Sequence, residues 1–388
     1  MLKPRFQPNI KILDIIKCLF SLSSKKIVVQ YIGLLKKKYR TKYVILFPMA
    51  RLALYSIVKA LLPINSEIII SAYNVPCVIE YLELANMKLK YIDLKPHTFQ
   101  MDIDHIIQSI SNKTKAIVIS HFYGIGVDFS RLLQICRDRN ILIIEDCAQA
   151  IDSLIKGKNI MTHCGTLGDI GVFSTGILKK ITTINGSFII TDNYSLYKKI
   201  GLFKNKSKKN QNICNATYLA RNLVFNFISR PLIFNVLFFL FKAKVQQANL
   251  NIKPKKLIRE KINCLFFENN QAFLGVKNFL CFDKRVQGYA EKSIYLSKLF
   301  GVYNKNKRYN YLHYPVCVRN RLSIIKKANK QGYDIGAGQF YNFGGNTCPN
   351  AGFVVKNNLN IPIYNSISFS DLAVIANEIK KDIIYVAK

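Results

Sequence analysis

Tryptophan is absent from the 388 residues, histidine occurs only five times, and 22 acidic side chains face 57 lysines and arginines. No long apolar run escapes interruption. The longest, 223–241, is cut by Arg230-Pro231 into pieces of about 7 and 11 residues, short of the roughly 20 that a bilayer-spanning helix needs. Met1 to Ile15 is broken by Lys3, Arg5, Lys11 and Asp14 and lacks the apolar centre of a signal peptide. The ten cysteines include no Cys-x-x-Cys and no histidine-rich partner tract, so neither a metal site nor a disulfide framework is expected. They read as small buried hydrophobes of a reducing compartment, and the expected location is the cytoplasm. What remains is a globular balance, half hydrophobic and a fifth charged, which excludes collagenous, low-complexity and disordered readings.

The excess charge of +35 is unevenly spread: residues 1–50 carry +10, 51–197 only +1, 198–261 carry +14, and the remainder +10. The nearly neutral stretch has no basic stripe with interleaved aromatics, so nucleic acid is not its expected partner. The basic 198–261 surrounds the broken apolar run and has two readings. One is a hydrophobic hairpin packed on the domain or on a second subunit. The other is an interfacial segment on an anionic membrane, at the inner face, aided by Lys204, Lys206, Lys208, Lys209, Lys242 and Lys244.

Short apolar runs alternate with helical periodicity through the neutral stretch. Tyr43 to Phe47, Glu67 to Ser71, Lys90 to Asp93, Lys115 to Ser120 and Ile141 to Glu145 read as strands, and the segments 51–62, 75–86, 105–111 and 129–139 read as helices. This is the pattern of a parallel or mixed sheet covered on both faces, an α/β domain. Strands Ile170 to Phe173 and Ser187 to Thr191 then flank a long loop, which points to function at the loop. The strand Leu312 to Val318 and helices over 321–330 and 370–380 outline a small α+β domain. The expected organisation is a large domain over 1–200, an insertion over 201–262 and a small domain over 263–388.

Asp146 ends a buried strand, and ligands of parallel sheets sit at the carboxyl ends of strands. Lys179 and Lys180 follow another strand end, with Ser174 close by. An acid and a lysine on neighbouring strand ends suit pyridoxal phosphate: the amine condenses with the aldehyde, a carboxylate keeps the pyridine nitrogen protonated, and a hydroxyl takes the phosphate. The same residues also suit a helix N-cap and a solvated lysine pair. Their chemistry alone leaves both readings open.

The chain from 43 to 197 resembles the large domain of the DegT-type sugar aminotransferases, which are fold-type-I pyridoxal phosphate enzymes. The resemblance rests on FPMARLAL, EIIISAYNVP, KYIDLKPHTFQMD, NKTKAIVISHFYG, IEDCAQA, Gly157-Lys158, Gly168-Asp169 and FSTGILKKITTING, in order and at matching spacing. NNQAFLG, ending at Gly275, with Arg285 after it, and PNAGFVVKNNLNIPIYNSIS resemble the family's small domain. The resemblance implies Lys179 as the Schiff-base lysine, with Lys180 a neighbour that the pattern does not require. It implies Asp146 beside the pyridine nitrogen, Gln149 beside the phenolic oxygen, and Ser174, Ala50 and Arg51 at the phosphate. His121 is either a further site residue or a packed strand-end histidine.

By the same resemblance the chain is a homodimer that aminates a keto group of a nucleotide-linked deoxysugar, with an amino-acid donor such as glutamate, for envelope polysaccharide or related glycans. Relatives that act as dehydratases lack the lysine. Four positions depart from the pattern: Met49-Ala50 for Ser-Gly, Val75 for the stacking aromatic, Cys264 for the partner-supplied asparagine, and Gly186-Ser187 for Gly-Gly. They motivate the alternative of a catalytically silent relative serving as a binding or membrane-associated component.

Overall fold

Runs of isoleucine, valine and phenylalanine form the strands here, because branched and aromatic side chains pack well on a pleated, buried surface. The computed structural model describes residues 3–7, 9–20, 25–156, 160–206, 224, 266–302, 310–338 and 340–386. Most of the basic insertion lies outside these, including Lys208, Lys209, Arg230, Pro231, Lys242 and Lys244, as do Cys264, Gly157 and Lys158.

The chain opens with two helices for which the sequence reading made no assignment, α1 (Ile12–Phe20) and α2 (Lys25–Tyr39). The second buries Tyr31, Leu35 and Tyr39, one stripe at four-residue spacing. There follow β1 (Tyr43–Phe47), α3 (Ala50–Leu61), β2 (Glu67–Ser71), β3 (Tyr73–Asn74), α4 (Pro76–Leu84), β4 (Lys88–Ile92), α5 (Ile103–Ser109), β5 (Thr114–Ser120), α6 (Ser130–Asp138) and β6 (Leu142–Asp146). A hairpin of β7 (Leu154–Lys156) and β8 (Met161–His163) precedes β9 (Ile170–Ser174), β10 (Ser187–Thr191) and α7 (Tyr194–Lys206).

Seven of these strands form one sheet in the order β1-β10-β9-β6-β5-β2-β4. The five from β9 to β4 are parallel, and β10 runs antiparallel to both of its neighbours. The sheet is mixed and mostly parallel, as the alternating pattern predicts. Successive strand residues feed opposite faces: Ile68, Ile70, Val118, Ile144 and Val172 join one core, and Ile69, Ile117, Ile119, Ile143 and Phe173 join the other.

The C-terminal part comprises α8 (Asn269–Leu280), α9 (Phe282–Leu299), β11 (Tyr314–Val318), α10 (Arg321–Lys330), β12 (Tyr341–Asn342), α11 (Pro349–Asn357), β13 (Asn358–Ile361), α12 (Phe369–Ile379) and β14 (Ile383–Val386). β11 pairs antiparallel with β13 and β14, and it begins two residues later than the sequence reading placed it. β12 pairs with β3, which brings C-terminal residues to the rim of the large sheet. The N-terminal arm lies on this part through Lys3–Asp371 at 2.6 Å and Arg5–Asp334 at 2.8 Å.

Lys204 corrects the membrane reading in one respect. Its ammonium lies over the rings of Phe47 and Phe266, at 5.5 and 5.8 Å from their centroids, and burial pushes its pKa down to about 8. It is turned toward ring faces and offers little to a membrane surface.

Two glycines give opposite expectations. Gly165 has φ +93°, and an added Cβ would lie 2.4 Å from the Phe173 ring. Gly33, inside α2, would meet nothing within 4 Å. Urea unfolding of Gly165→Ala should show a loss of about 3 kcal/mol from left-handed strain and overpacking. Gly33→Ala should gain about 1 kcal/mol from helix propensity.

Candidate active site

Parallel strands end along one edge, and the residues at those ends face one another. Ser120, last in β5, is in register with Asp146, last in β6. Ser174, last in β9, is in register with Ser187, first in β10. Beside them is a cavity of about 230 Å³ whose lining includes Ala50, Arg51, Asp146, Gln149, Ser174 and Lys179. The structure therefore brings all six sequence-predicted residues to one cavity, and His121 lines it too. A larger groove of about 810 Å³, lined by Lys37, Arg40, Asp169 and Asp192 among others, lies where β9 begins and β10 ends, at the opposite edge. None of the six lines it.

Lys179 is half-buried. Burial pushes its pKa down to about 8, with Asp146 and then Cys77 pulling the other way. Asp146 itself is pushed up by burial, opposed by the Ala148 N–H and by the charge of Lys179. The Ala148 N–H donates to Oδ1 at 3.0 Å, the local turn that a strand-end aspartate favours. The two groups therefore share one poorly solvated environment in which each shifts the other toward its charged form.

Lys180 departs from the expectation of a replaceable neighbour. It is buried to 2% exposure, and its Nζ donates to the backbone oxygen of Asn310 at 2.6 Å and to Asn310 Oδ1. Lys180 is not among the residues that line the cavity. The adjacent lysines thus have different surroundings, one in the cavity and one in the protein interior.

The start of α3 is prepared for an anion. Met49 is extended, with φ −157°, and provides no side-chain cap, so the first N–H groups and the helix dipole are left for a ligand. Asn74 Oδ1 accepts from the Val75 N–H at 2.9 Å, while Asn74 Nδ2 and Ser120 Oγ are buried without hydrogen-bond partners. Both residues line the cavity. Orphaned polar atoms around an anion-ready helix start call for a polar, negatively charged occupant, which a phosphorylated pyridine with ring oxygens fits. Gln149 Oε1 accepts the Tyr123 N–H at 2.7 Å, leaving the Nε2 end as donor for a ring oxygen. Gly186 is required, since a Cβ there would lie 1.9 Å from Thr183 Oγ1.

His121 is a packed strand-end histidine as well as a cavity-lining one. Its Nδ1 accepts the Val127 N–H at 3.0 Å, so the proton lies on Nε2, 2.9 Å from Glu145 Oε2. Glu145 is fully buried, and its carboxylate also accepts from Gly165, Leu167 and Gly168 N–H groups at 2.7, 2.8 and 2.6 Å. His121, Glu145 and Cys147 lie within 4.8 Å of one another, but these N–H donors already occupy the carboxylate. Sequence reasoning did not single out Asn74, Phe122 or Phe340, which also line the cavity. Asn74 lies inside a quoted motif and was within reach; Phe340 arrives from the C-terminal part and carries no local signal.

A family model described as the DegT/DnrJ/EryC1/StrS aminotransferase family matches residues 23–227. The chain is 40% identical over 114 residues to a GDP-perosamine synthase of Escherichia coli O157:H7, covering 29% of this chain and 30% of that protein. It is 25% identical over 197 residues to a GDP-4-keto-6-deoxy-D-mannose 3-dehydratase of Escherichia coli O55:H7 (strain CB9615 / EPEC), covering 47% and 50%. The aligned stretches thus span about a third to a half of these curated relatives. Among solved structures, the Helicobacter pylori aminotransferase PseC, involved in the biosynthesis of pseudoaminic acid, superposes with a TM-score of 0.74 at 15% identity, over 98% of this chain and 99% of that one. The sugar aminotransferase CalS13 of Micromonospora echinospora gives 0.74 at 18%, over 98% and 100%. The fold is shared with them.

Glu145→Ala would leave three backbone N–H groups and an imidazole without their acceptor. Denaturant unfolding should register a loss on the order of 3–5 kcal/mol, and near-parental stability would contradict the role assigned to this carboxylate.

Proposed function

Because the chain belongs to the DegT/DnrJ/EryC1/StrS aminotransferase family, we propose that it is a pyridoxal-5'-phosphate-dependent aminotransferase that converts a keto group of a nucleotide-linked deoxysugar to an amine. The donor is glutamate and the product serves cell-envelope polysaccharide or a related glycan. The observation that carries this reading is a single amine, Lys179 Nζ, held at a lowered pKa beside Asp146 in a cavity at the strand ends. Dehydratases also occur among the relatives; Lys179, which the family's dehydratases lack, favours amination.

Lys179 would hold the cofactor, Asp146 its pyridine nitrogen, and Gln149 its ring oxygen, with Ser174 and the α3 start at Ala50 and Arg51 taking the phosphate. When bound, pyridoxal phosphate supplies an aldehyde carbon that takes up the amine and a ring that accepts an electron pair. Lys179 Nζ would carry the proton from the donor's α-carbon to the cofactor's aldehyde carbon in the first half of the cycle and in the opposite sense, from aldehyde carbon to sugar carbon, in the second. At pH 8 about half of a lysine with pKa about 8 is neutral, against roughly one in 300 of an ordinary lysine. Asp146, pushed up by burial, stays ionised once a cationic ring nitrogen lies opposite it.

Homodimerisation and a peripheral, salt-sensitive contact with anionic membrane belong to the same proposal. The +14 of residues 198–261 supports the latter, at about 1 kcal/mol per basic residue near such a surface. Among the described residues no helix is long and apolar enough to cross a membrane.

Lys179→Ala should abolish turnover and the visible absorbance of bound pyridoxal phosphate. Asp146→Asn should bind the cofactor yet lose about 100-fold or more in kcat. In wild type the rate should rise with pH through about 8, the range in which Lys179 loses its proton. A protein that takes up no pyridoxal phosphate would instead be the silent relative. For the membrane contact, co-sedimentation with anionic vesicles should fade above about 0.5 M salt, where the screening length is a few ångströms. Binding that survives the change of Lys206, Lys208 and Lys209 to Gln would favour the packed hairpin.

A further inference from the structure

The lysine next to Lys179 has partners that the proposed chemistry does not use. Its carbonyl accepts from Arg285 Nη1 at 2.5 Å, and the same nitrogen donates to Asn278 Oδ1 at 3.0 Å. The Lys179 carbonyl accepts from Asn9 Nδ2 at 3.2 Å, which also lies 3.3 Å from the Tyr289 hydroxyl. Lys180 Nζ, bound to two oxygens of Asn310, sits 5.0 Å from the centroid of the Tyr289 ring. Asn310 in turn donates from Nδ2 to the Ile151 carbonyl at 3.2 Å.

Three separate parts of the molecule converge on one dipeptide, namely the N-terminal arm, helix α9 and the segment before β11, and the last two are braced in turn by Asn278 of α8 and by Ile151 after β6. The dipeptide belongs to the long loop between β9 and β10, in which the Lys179 N–H bonds to Gly176 and Thr183 to Thr175. Local bonds alone leave such a loop free to shift as a body, and a reacting amine displaced by an ångström loses much of its rate.

We propose that Lys180, Arg285 and Asn9 are positioning residues that grip the Lys179–Lys180 peptide by both carbonyls and by the second ammonium, holding Lys179 Nζ against Asp146 in the cavity. This rests on Lys179 being the reactive amine. Around that amine stand Asp146 and Cys77, and His313, which burial and the charges of Lys179, Arg5 and Lys180 push down to about 3. Loosening the grip admits water to Lys179, which relieves the burial that depresses its pKa and moves that pKa upward.

The test is competitive acetic anhydride labelling of the full chain without cofactor from pH 6 to 11, read per lysine by mass spectrometry, with steady-state kinetics and thermal melting alongside. Lys180→Met and Arg285→Met should each raise the Lys179 labelling midpoint by about half a unit or more. They should lower kcat about tenfold with KM within about twofold, and Arg285→Lys should recover most of the loss. Asn9→Ala should act in the same direction more weakly, and it serves if Lys180→Met does not fold. Variants that melt earlier yet keep the parental midpoint and kcat would overturn the proposal. If the parent takes up no pyridoxal phosphate the functional reading fails, and the labelling midpoints still decide the grip.

Discussion

A buried carboxylate must either find donors or destabilise the fold that holds it, and Glu145 meets this constraint with four hydrogen bonds drawn from two segments beyond its own strand. Hydrogen bonds to an ionised acceptor are among the stronger ones a protein makes. Together they offset the loss of solvation that a fully buried charge suffers. The consequence is geometric. The turn entering β9 is wrapped around a side chain of β6, and it approaches so closely that a Cβ on Gly168 would lie 2.9 Å from Ile143. Asp146 follows Glu145 directly, and Ser174 ends the strand that this turn feeds. The separation of the acid from the lysine-bearing loop is therefore inherited from a residue outside the proposed chemistry.

The same interaction accounts for His121. Its ring is clamped between the Val127 N–H and Glu145, which fixes the tautomer and makes the imidazole a rigid part of the cavity wall. A histidine with both nitrogens engaged is poorly placed to exchange protons. Its contribution is shape and a fixed dipole.

A second buried network ties the C-terminal part to the site. Tyr73 and Tyr123 share a hydroxyl contact of 2.6 Å, and Asn358 of β13 donates to Tyr123 at 2.7 Å. Tyr123 is held at φ +59°, and its N–H orients Gln149. Phe340 stacks on Tyr73 with centroids 4.5 Å apart, so an aromatic reaches the cavity although Val75 stands where the family pattern has one. The cavity is completed by Phe340, more than 150 positions after Lys179 and Ser174.

The sequence by itself determined the strand and helix alternation, the mixed sheet, and the residues at its carboxyl edge, because side-chain periodicity and strand-end position are local properties. It also determined the family, since motif order and spacing persist along some 150 residues. Helix α2 was legible in principle from the Tyr31, Leu35, Tyr39 stripe, but lysine-rich composition obscured it. Motif spacing already favoured Lys179 over Lys180; only the tertiary structure decided what each lysine is surrounded by, for their chemistry is the same and their surroundings are not. Those surroundings come from Asn9, Arg285 and Asn310, brought in by chain segments remote in sequence. Packing against distant residues leaves no local pattern, and so burial, tautomer and pKa emerged only when the chain was folded.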